Sequence, residues 1–139
     1  MRVASASGTL RVAAVLLASA FAFAGCSTGP AAPTTTEVRM HYSKFLPASL
    51  EIAAGTTVDF VLVNEDPVAH EFVIGTEAEH LAHEKGAAGD PHTGTGEASI
   101  PAQGTVRLSY TFAKAGTLLY ACHVPGHYNY GMKGSLKVI

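Results

Sequence analysis

The stretch Tyr120–Gly134, YACHVPGHYNYGMKG, holds one cysteine, two histidines and one methionine. Cys122, His127 and Met132 are spaced five residues apart, in a chain of 139 residues that has two cysteines and three methionines. The proline and the glycines of the stretch favour turns, so these three side chains can converge within one loop. A thiolate, an imidazole and a thioether together form a ligand set that suits copper.

A fourth ligand is needed to complete a copper site of the type 1, or blue-copper, kind. Such a site has two His and one Cys in a trigonal plane with a weak axial Met. The candidate is His70, which follows the turn at Pro67 and begins a predicted strand. Since connections cluster at the ends of a β-sandwich, this histidine can reach the loop. We therefore predict one type 1 copper per chain, bound by His70, Cys122 and His127, with Met132 as the axial ligand.

Alternating apolar and polar residues dominate the chain after Glu37 and predict short strands. No long helical period competes with this alternation, and the pattern is typical of an all-β sandwich or barrel. The predicted strands cover residues 37–42, 49–53, 57–64, 71–74, 105–112, 117–122 and 134–139. The segment 75–96 interrupts this pattern, and we expect a short helix over Glu77–Lys85 with Thr76 as its N-cap.

The spacing Cys122-x4-His127-x4-Met132 resembles that of rusticyanin-like cupredoxins, the family of plastocyanin and azurin. The stretch 42–60, YSKFLPASLEIAAGTTVDF, is also similar to the first three strands of that family. The resemblance covers residues 37–139 and implies a Greek-key β-sandwich of about eight strands, with 75–96 as an insertion. It further implies single-electron transfer through the exposed edge of His127 to a docked redox partner protein.

Two positions depart from the family pattern, which has Ser or Thr after the cysteine and a small polar residue after the first histidine. Here these positions hold His123 and Glu71. We expect both side chains to point away from the copper and to alter the hydrogen bonds around its ligands. His123 also resembles part of a multicopper oxidase motif, but Ala121 precedes the cysteine and the chain has no His-x-His sequence. A binuclear copper centre is excluded because it needs a second loop cysteine, and no nucleophile–base pair indicates an enzyme.

The histidines of the insertion raise the possibility of a second metal site. His80 and His83 would share one helix face, with His92 nearby. The alternative, which we favour, is a solvated acidic helix with incidental histidines, because the surrounding chain is rich in glycine.

The first 36 residues differ in composition from the rest. Residues 1–25 have the basic start, apolar middle and small-residue end of a signal peptide. Phe23-Ala24-Gly25-Cys26 resembles a bacterial lipobox, which implies acylation of Cys26 and a flexible tether over 26–36. Residues 26–139 hold seven Lys/Arg and eleven Asp/Glu, a net charge of about −4 that argues against nucleic acid. We expect a monomer.

The sequence therefore predicts a membrane-tethered type 1 copper protein that transfers single electrons outside the cytoplasmic membrane. The alternative is extracytoplasmic copper binding and delivery, or copper resistance. The two hypotheses share the copper site and differ in what happens to the bound ion.

Overall fold

The computed structural model describes residues 32–86 and 96–139, which contain nine strands and one helix. Two predictions concern residues outside these ranges: the lipid anchor at Cys26, and the part of the second metal site that His92 would supply. The elements are β1 (Thr34–His41), β2 (Lys44–Leu46), β3 (Ser49–Ile52), β4 (Thr56–Asn64), β5 (His70–Gly75), α1 (Glu77–Glu84), β6 (Glu97–Ile100), β7 (Thr105–Phe112), β8 (Gly116–Ala121) and β9 (Lys133–Val138). Among the described residues, no helix is long and apolar enough to cross a membrane.

The strands form two sheets that pack face to face. One sheet has the order β2-β1-β4-β7 and the other the order β3-β9-β8-β5-β6. Most neighbours are antiparallel, whereas β1 pairs with β4 and β3 pairs with β9 in parallel. The predicted all-β sandwich is confirmed, with nine strands in the described residues, close to the number that the resemblance implied.

The core lies between the sheets and is built from one face of each strand. On β4, Val58, Phe60 and Leu62 are buried while their neighbours are partly exposed, as a period of two requires. Phe72 and Tyr120 from the opposite sheet pack against this face, and the Phe60 and Phe72 rings lie 5.3 Å apart. Aromatic pairs at such distances stabilise a core beyond the area that they bury.

The strands differ from the predicted ones in three respects, apart from shifts of one residue at other strand ends. β1 begins at Thr34, three residues earlier than expected, so residues 34–36 belong to the sheet and not to the predicted tether. The strands β2 and β6 were not predicted at all. They have three and four residues, so alternation alone is a weak signal for them, whereas the equally short β3 is marked in the sequence by Pro47 before it and Gly55 after it.

The insertion begins with helix α1, whose N-terminus is capped as predicted. The Thr76 hydroxyl accepts a hydrogen bond from the Glu79 backbone N–H at 3.3 Å, and the Glu79 carboxylate accepts from the Thr76 N–H at 2.6 Å. This reciprocal capping box satisfies two of the backbone donors that a helix start leaves without partners. It explains why a helix with little apolar content begins at this residue.

Candidate metal centre

Three adjacent strands carry the predicted ligands. His70 is the first residue of β5, Cys122 directly follows β8, and Met132 directly precedes β9. In the five-stranded sheet β8 lies between β9 and β5, so the ends of these strands meet at one edge. The sheet therefore brings together residues that are 62 positions apart in the chain.

The nitrogen and sulfur atoms of His70, Cys122 and His127 converge to form a small triangle. The two Nδ1 atoms are 3.2 Å apart, and Cys122 Sγ lies 3.9 Å from His70 Nδ1 and 3.5 Å from His127 Nδ1. A point equidistant from these three atoms is about 2.1 Å from each, within the range of about 2.0–2.3 Å that protein nitrogen and sulfur ligands keep from a metal such as zinc. The triangle thus fits a first-row transition metal without any movement of the ligands.

The loop between β8 and β9 folds back on itself through its own backbone. Gly126 and Gly131 both have positive φ, +88° and +86°, which glycine adopts without strain. The His127 carbonyl accepts a hydrogen bond from Met132 N–H at 2.9 Å, and the Met132 carbonyl accepts from Cys122 N–H at 3.1 Å. These bonds hold the three loop ligands in one arrangement, as the turn residues in the sequence predicted.

Met132 is buried beside this triangle, in the hydrophobic core cluster that also contains Cys122. A buried methionine is most often a gap-filler in the core. Here its backbone is bonded to those of Cys122 and His127 in the ligand loop, so Met132 would supply the thioether of the type 1 ligand set.

Asp66 orients the histidine that comes from the sandwich. Its buried carboxylate accepts a hydrogen bond from His70 Nε2–H at 2.9 Å. It also accepts from the Tyr42 and Ser43 backbone N–H groups at 2.7 and 2.8 Å. Burial alone would raise the pKa of Asp66, but these hydrogen bonds outweigh it and hold the pKa below its usual value. The carboxylate favours the tautomer of the neutral imidazole with the proton on Nε2, in which the Nδ1 lone pair is available to a metal.

Burial is complete for Cys122 and partial for His127, and it shifts the pKa of both side chains. Burial raises the pKa of the Cys122 thiol, while hydrogen bonds from the Glu71 and Val124 backbone oppose this rise; the Glu71 N–H donates to Sγ at 3.3 Å. Burial, and then the neighbouring His70, lower the pKa of His127, which favours the neutral imidazole. Without a metal the thiol keeps its proton, so a metal that binds here must displace it.

The sequence comparisons agree with this geometry. Residues 33–139 match the family described as copper binding proteins, plastocyanin/azurin family. The chain belongs to this cupredoxin family. It is also 35% identical over 116 residues to the copper-resistant cuproprotein CopI of Rubrivivax gelatinosus, which covers 79% of this chain and 70% of that protein.

Solved cupredoxin structures have the same architecture. Auracyanin B superposes with a TM-score of 0.67 at 28% identity, covering 78% of this chain and 91% of that one. Auracyanin A of Chloroflexus aurantiacus, described as a "blue" copper protein, gives a TM-score of 0.60 at 29% identity, covering 78% of this chain and all of that one. Copper is therefore the metal of this family, and His70, Cys122, His127 and Met132 form a type 1 copper-like site in this cupredoxin.

The prediction for the insertion histidines is wrong about their surroundings. His80 is fully buried instead of solvated, and its ring lies against His123. Among the described residues, His70, Cys122 and His127 are the one group of three or more His, Cys, Asp or Glu side chains that could hold a metal. His80 and His83 belong to no second group of this kind within the described ranges, and His92 lies outside them.

The two departures from the family pattern have different roles. Glu71 contributes its backbone N–H to the Cys122 sulfur, as noted above. His123 points away from the triangle, as predicted, but it is buried beneath helix α1.

Sequence reasoning missed Asp66 and the His80–His123 contact. The Asp66-Pro67 pair indicates only a turn, and the acidic position four residues before a predicted copper ligand was the one signal available.

Proposed function

We propose that this cupredoxin is an extracytoplasmic copper-resistance protein that acts by binding one copper ion per chain at its type 1 site. The observation that carries the proposal is the triangle of His70, Cys122 and His127, whose dimensions fit a transition metal. The relatives support the same conclusion, because the proteins from Rubrivivax gelatinosus and from Pseudomonas aeruginosa, 35% and 32% identical, are both described as copper-resistant cuproproteins.

The chain's own residues do three things in this proposal. Cys122 and His127 supply a thiolate and an imidazole from one rigid loop, and His70 is held by Asp66 with its Nδ1 facing them. The burial of His70, Cys122 and Met132 keeps water from their side of the site, which strengthens the electrostatic interactions around the ion. Bound copper would supply a one-electron Cu(II)/Cu(I) couple, and no nucleophile–base pair in the sequence indicates that the protein is an enzyme.

The test is copper tolerance combined with copper binding. A copper-sensitive bacterium that produces the exported protein should grow at higher copper concentrations, and the Cys122→Ser variant should abolish this gain. In vitro, the wild type should bind one equivalent of Cu(II) with an intense thiolate-to-copper absorption band that is absent from the variant. Full tolerance with Cys122→Ser, at equal protein levels, would exclude the type 1 site as the basis of resistance.

A second candidate function is single-electron transfer to a partner protein. It is favoured by the position of His127, which is only partly buried, and by Tyr130 in the same loop, whose side chain is 83% exposed. An aromatic surface beside a metal ligand suits brief contact with a redox partner. Fast electron self-exchange of the copper-loaded protein, slowed by Tyr130→Asp at unchanged copper affinity, would support this function; unchanged exchange would count against a docking role for that surface.

The location outside the cytoplasmic membrane and the lipid anchor at Cys26 form part of the same proposal. They are supported by the apolar segment before Cys26 and by the Ser-, Thr- and Pro-rich stretch after it. Mass spectrometry of the membrane fraction should find an N-terminal acylated Cys26. A mature protein that is released from cells with an unmodified N-terminus elsewhere would contradict the anchor.

A further inference from the structure

Helix α1 packs against the copper-ligand loop through a stack of flat side chains. The rings of His80, His123 and Tyr128 are nearly parallel to one another, with interplanar angles of 14° to 24° and centroid distances of 5.1 to 5.8 Å. All three residues are buried. The helix comes from the insertion, whereas His123 and Tyr128 directly follow the ligands Cys122 and His127.

Hydrogen bonds tie the helix to the same loop. His80 Nδ1 lies 2.8 Å from His123 Nε2, and His123 Nδ1 lies 2.7 Å from Glu84 Oε1. The other Glu84 oxygen accepts a hydrogen bond from the Asn129 side-chain amide at 3.0 Å. Both ring nitrogens of His123 are therefore engaged by residues one helical turn apart, His80 and Glu84.

These contacts hold both halves of the loop, which we call its outgoing and returning limbs. His123 belongs to the limb that leaves β8 with Cys122, and Asn129 belongs to the limb that returns to Met132. The loop's own backbone bonds fix its turns, and from the sandwich the exposed Lys44 ammonium of β2 donates to the Tyr130 and Gly131 carbonyls at 3.2 and 3.5 Å. His80 and His123 form the buried part of this network, and Asn129 lies at its exposed end. The buried part favours one arrangement over its alternatives, because any other leaves ring nitrogens buried without partners.

We propose that helix α1 is a positioning element of the copper site, in which His80 and Glu84 hold the loop between Cys122 and Met132 in the geometry that the metal requires. The network acts through the ligand loop and does not touch the metal. A second metal would need the same nitrogens that His123 already commits to His80 and Glu84. The inference rests on copper binding and is independent of whether the bound copper serves resistance or electron transfer.

The decisive comparison is between Glu84→Ala and Glu77→Ala in the full-length protein. Both variants remove a carboxylate from helix α1, but only Glu84 bonds to His123 and Asn129, while Glu77 lies exposed in the first turn. We expect Glu84→Ala to weaken Cu(II) affinity about tenfold, at the lower end of the effect of removing groups that orient metal ligands. Its thiolate-to-copper band and reduction potential should also shift, whereas Glu77→Ala should match the wild type.

A readout on the metal-free protein separates positioning from simple stability. Amide hydrogen exchange over residues 123–131 should become faster in Glu84→Ala and stay unchanged in Glu77→Ala. The contrary outcome is that Glu84→Ala lowers only the melting temperature and keeps the wild-type copper affinity, absorption band, reduction potential and amide exchange of the loop. In that case the helix only stabilises the fold, and the proposal is overturned.

A second variant keeps the proposal testable if Glu84→Ala does not fold. Asn129 is exposed, so Asn129→Ala removes its hydrogen bond to Glu84 without disturbing the core. We expect it to give a smaller shift of the copper band in the same direction as Glu84→Ala. Wild-type spectra and affinity in this variant would show that the hydrogen bond between Asn129 and Glu84 does not position the copper site. That result would contradict the proposal that the helix holds both limbs of the loop.

Discussion

Replacing Asp66 by Asn is expected to weaken both the fold and copper binding, because the new amide cannot satisfy the donors that now surround the carboxylate. Oδ1 accepts from the Tyr42 N–H, while Oδ2 accepts from the Ser43 N–H and from His70 Nε2. An amide has one oxygen and one NH₂ group, so either orientation directs the NH₂ group at an N–H donor. The side chains have nearly the same volume, so no cavity contributes to the effect.

The less costly orientation keeps the amide oxygen towards Ser43 and His70 and leaves the Tyr42 N–H without an acceptor. Tyr42 is an exposed residue, so water can replace the lost acceptor, and the change costs only about 0.5–1.5 kcal/mol of the free energy of unfolding, the net contribution of one hydrogen bond. The hydrogen bond to His70 remains but loses its charge, and a charge-assisted bond is roughly twice as strong as a neutral one. We therefore expect copper affinity to fall about tenfold, which corresponds to about 1.4 kcal/mol.

Asp66→Ala extends the series, because it removes all three acceptor contacts and leaves His70 free to carry its proton on Nδ1. Copper affinity should then fall about 100-fold, the upper end for groups that orient a metal-ligating histidine. Affinity is measured by competition with a chelator, and stability by thermal unfolding of the metal-free proteins. Asp59→Asn is the matched control, since Asp59 is partly exposed on β4 between the buried Val58 and Phe60.

The reasoning would be refuted if Asp66→Asn and Asp66→Ala unfolded at lower temperature but bound copper as tightly as the wild type. That result would reduce Asp66 to a structural link between the β1–β2 turn and β5. A graded loss of affinity, with Asp59→Asn unchanged, would establish that the carboxylate prepares His70 for the metal.

Three further predictions concern the axial ligand, the core and the metal. Met132→Leu should lower the free energy of unfolding by less than about 1.5 kcal/mol, as volume-conserving core changes do. It should nevertheless shift the reduction potential measured by voltammetry, because the thioether is lost. Met40→Leu, elsewhere in the core, should leave the potential unchanged. Gly134→Ala should destabilise the protein by about 1–3 kcal/mol in denaturant unfolding, because its Cβ would overlap the Tyr120 ring, while Gly116→Ala, with no atom within 4 Å of a new Cβ, should be neutral. Copper at 100 times its dissociation constant should stabilise the protein by about 2.7 kcal/mol in thermal unfolding, and an equal melting temperature with and without copper would show that the folded state does not bind it.

The features predictable from the sequence were those encoded by nearby residues. Cys122, His127 and Met132 lie in one loop, so their spacing alone indicated the ligand set, and Thr76 with Glu79 encoded the helix start. The longer strands were found because alternation over six or more residues is informative. His70 needed one more assumption, namely that a sandwich brings the start of its strand to the same edge as the loop.

The features that could not be predicted depend on contacts between distant parts of the chain. His80 and His123 are 43 residues apart, and nothing in the polar sequence of helix α1 marks one of its histidines as buried. A single polar residue on an otherwise polar helix is normally solvated, so burial of His80 required the partner that only the fold provides. The role of Asp66 was hidden for the same reason, since its backbone donors lie in the turn after β1, more than 20 residues away.

The sheet itself holds the ligands together, because they come from paired strands. Ala121 and Lys133, which flank Cys122 and Met132, pair with each other, and Ala121 also pairs with Val73, three residues after His70. In small zinc domains, by contrast, the ligands gather only when the metal binds, and binding energy is spent on folding. Here the strand pairing of the sandwich brings the ligand atoms to distances that fit the metal. Such a site needs no folding of its own around the ion, so we expect the free energy of copper binding to appear mainly as affinity.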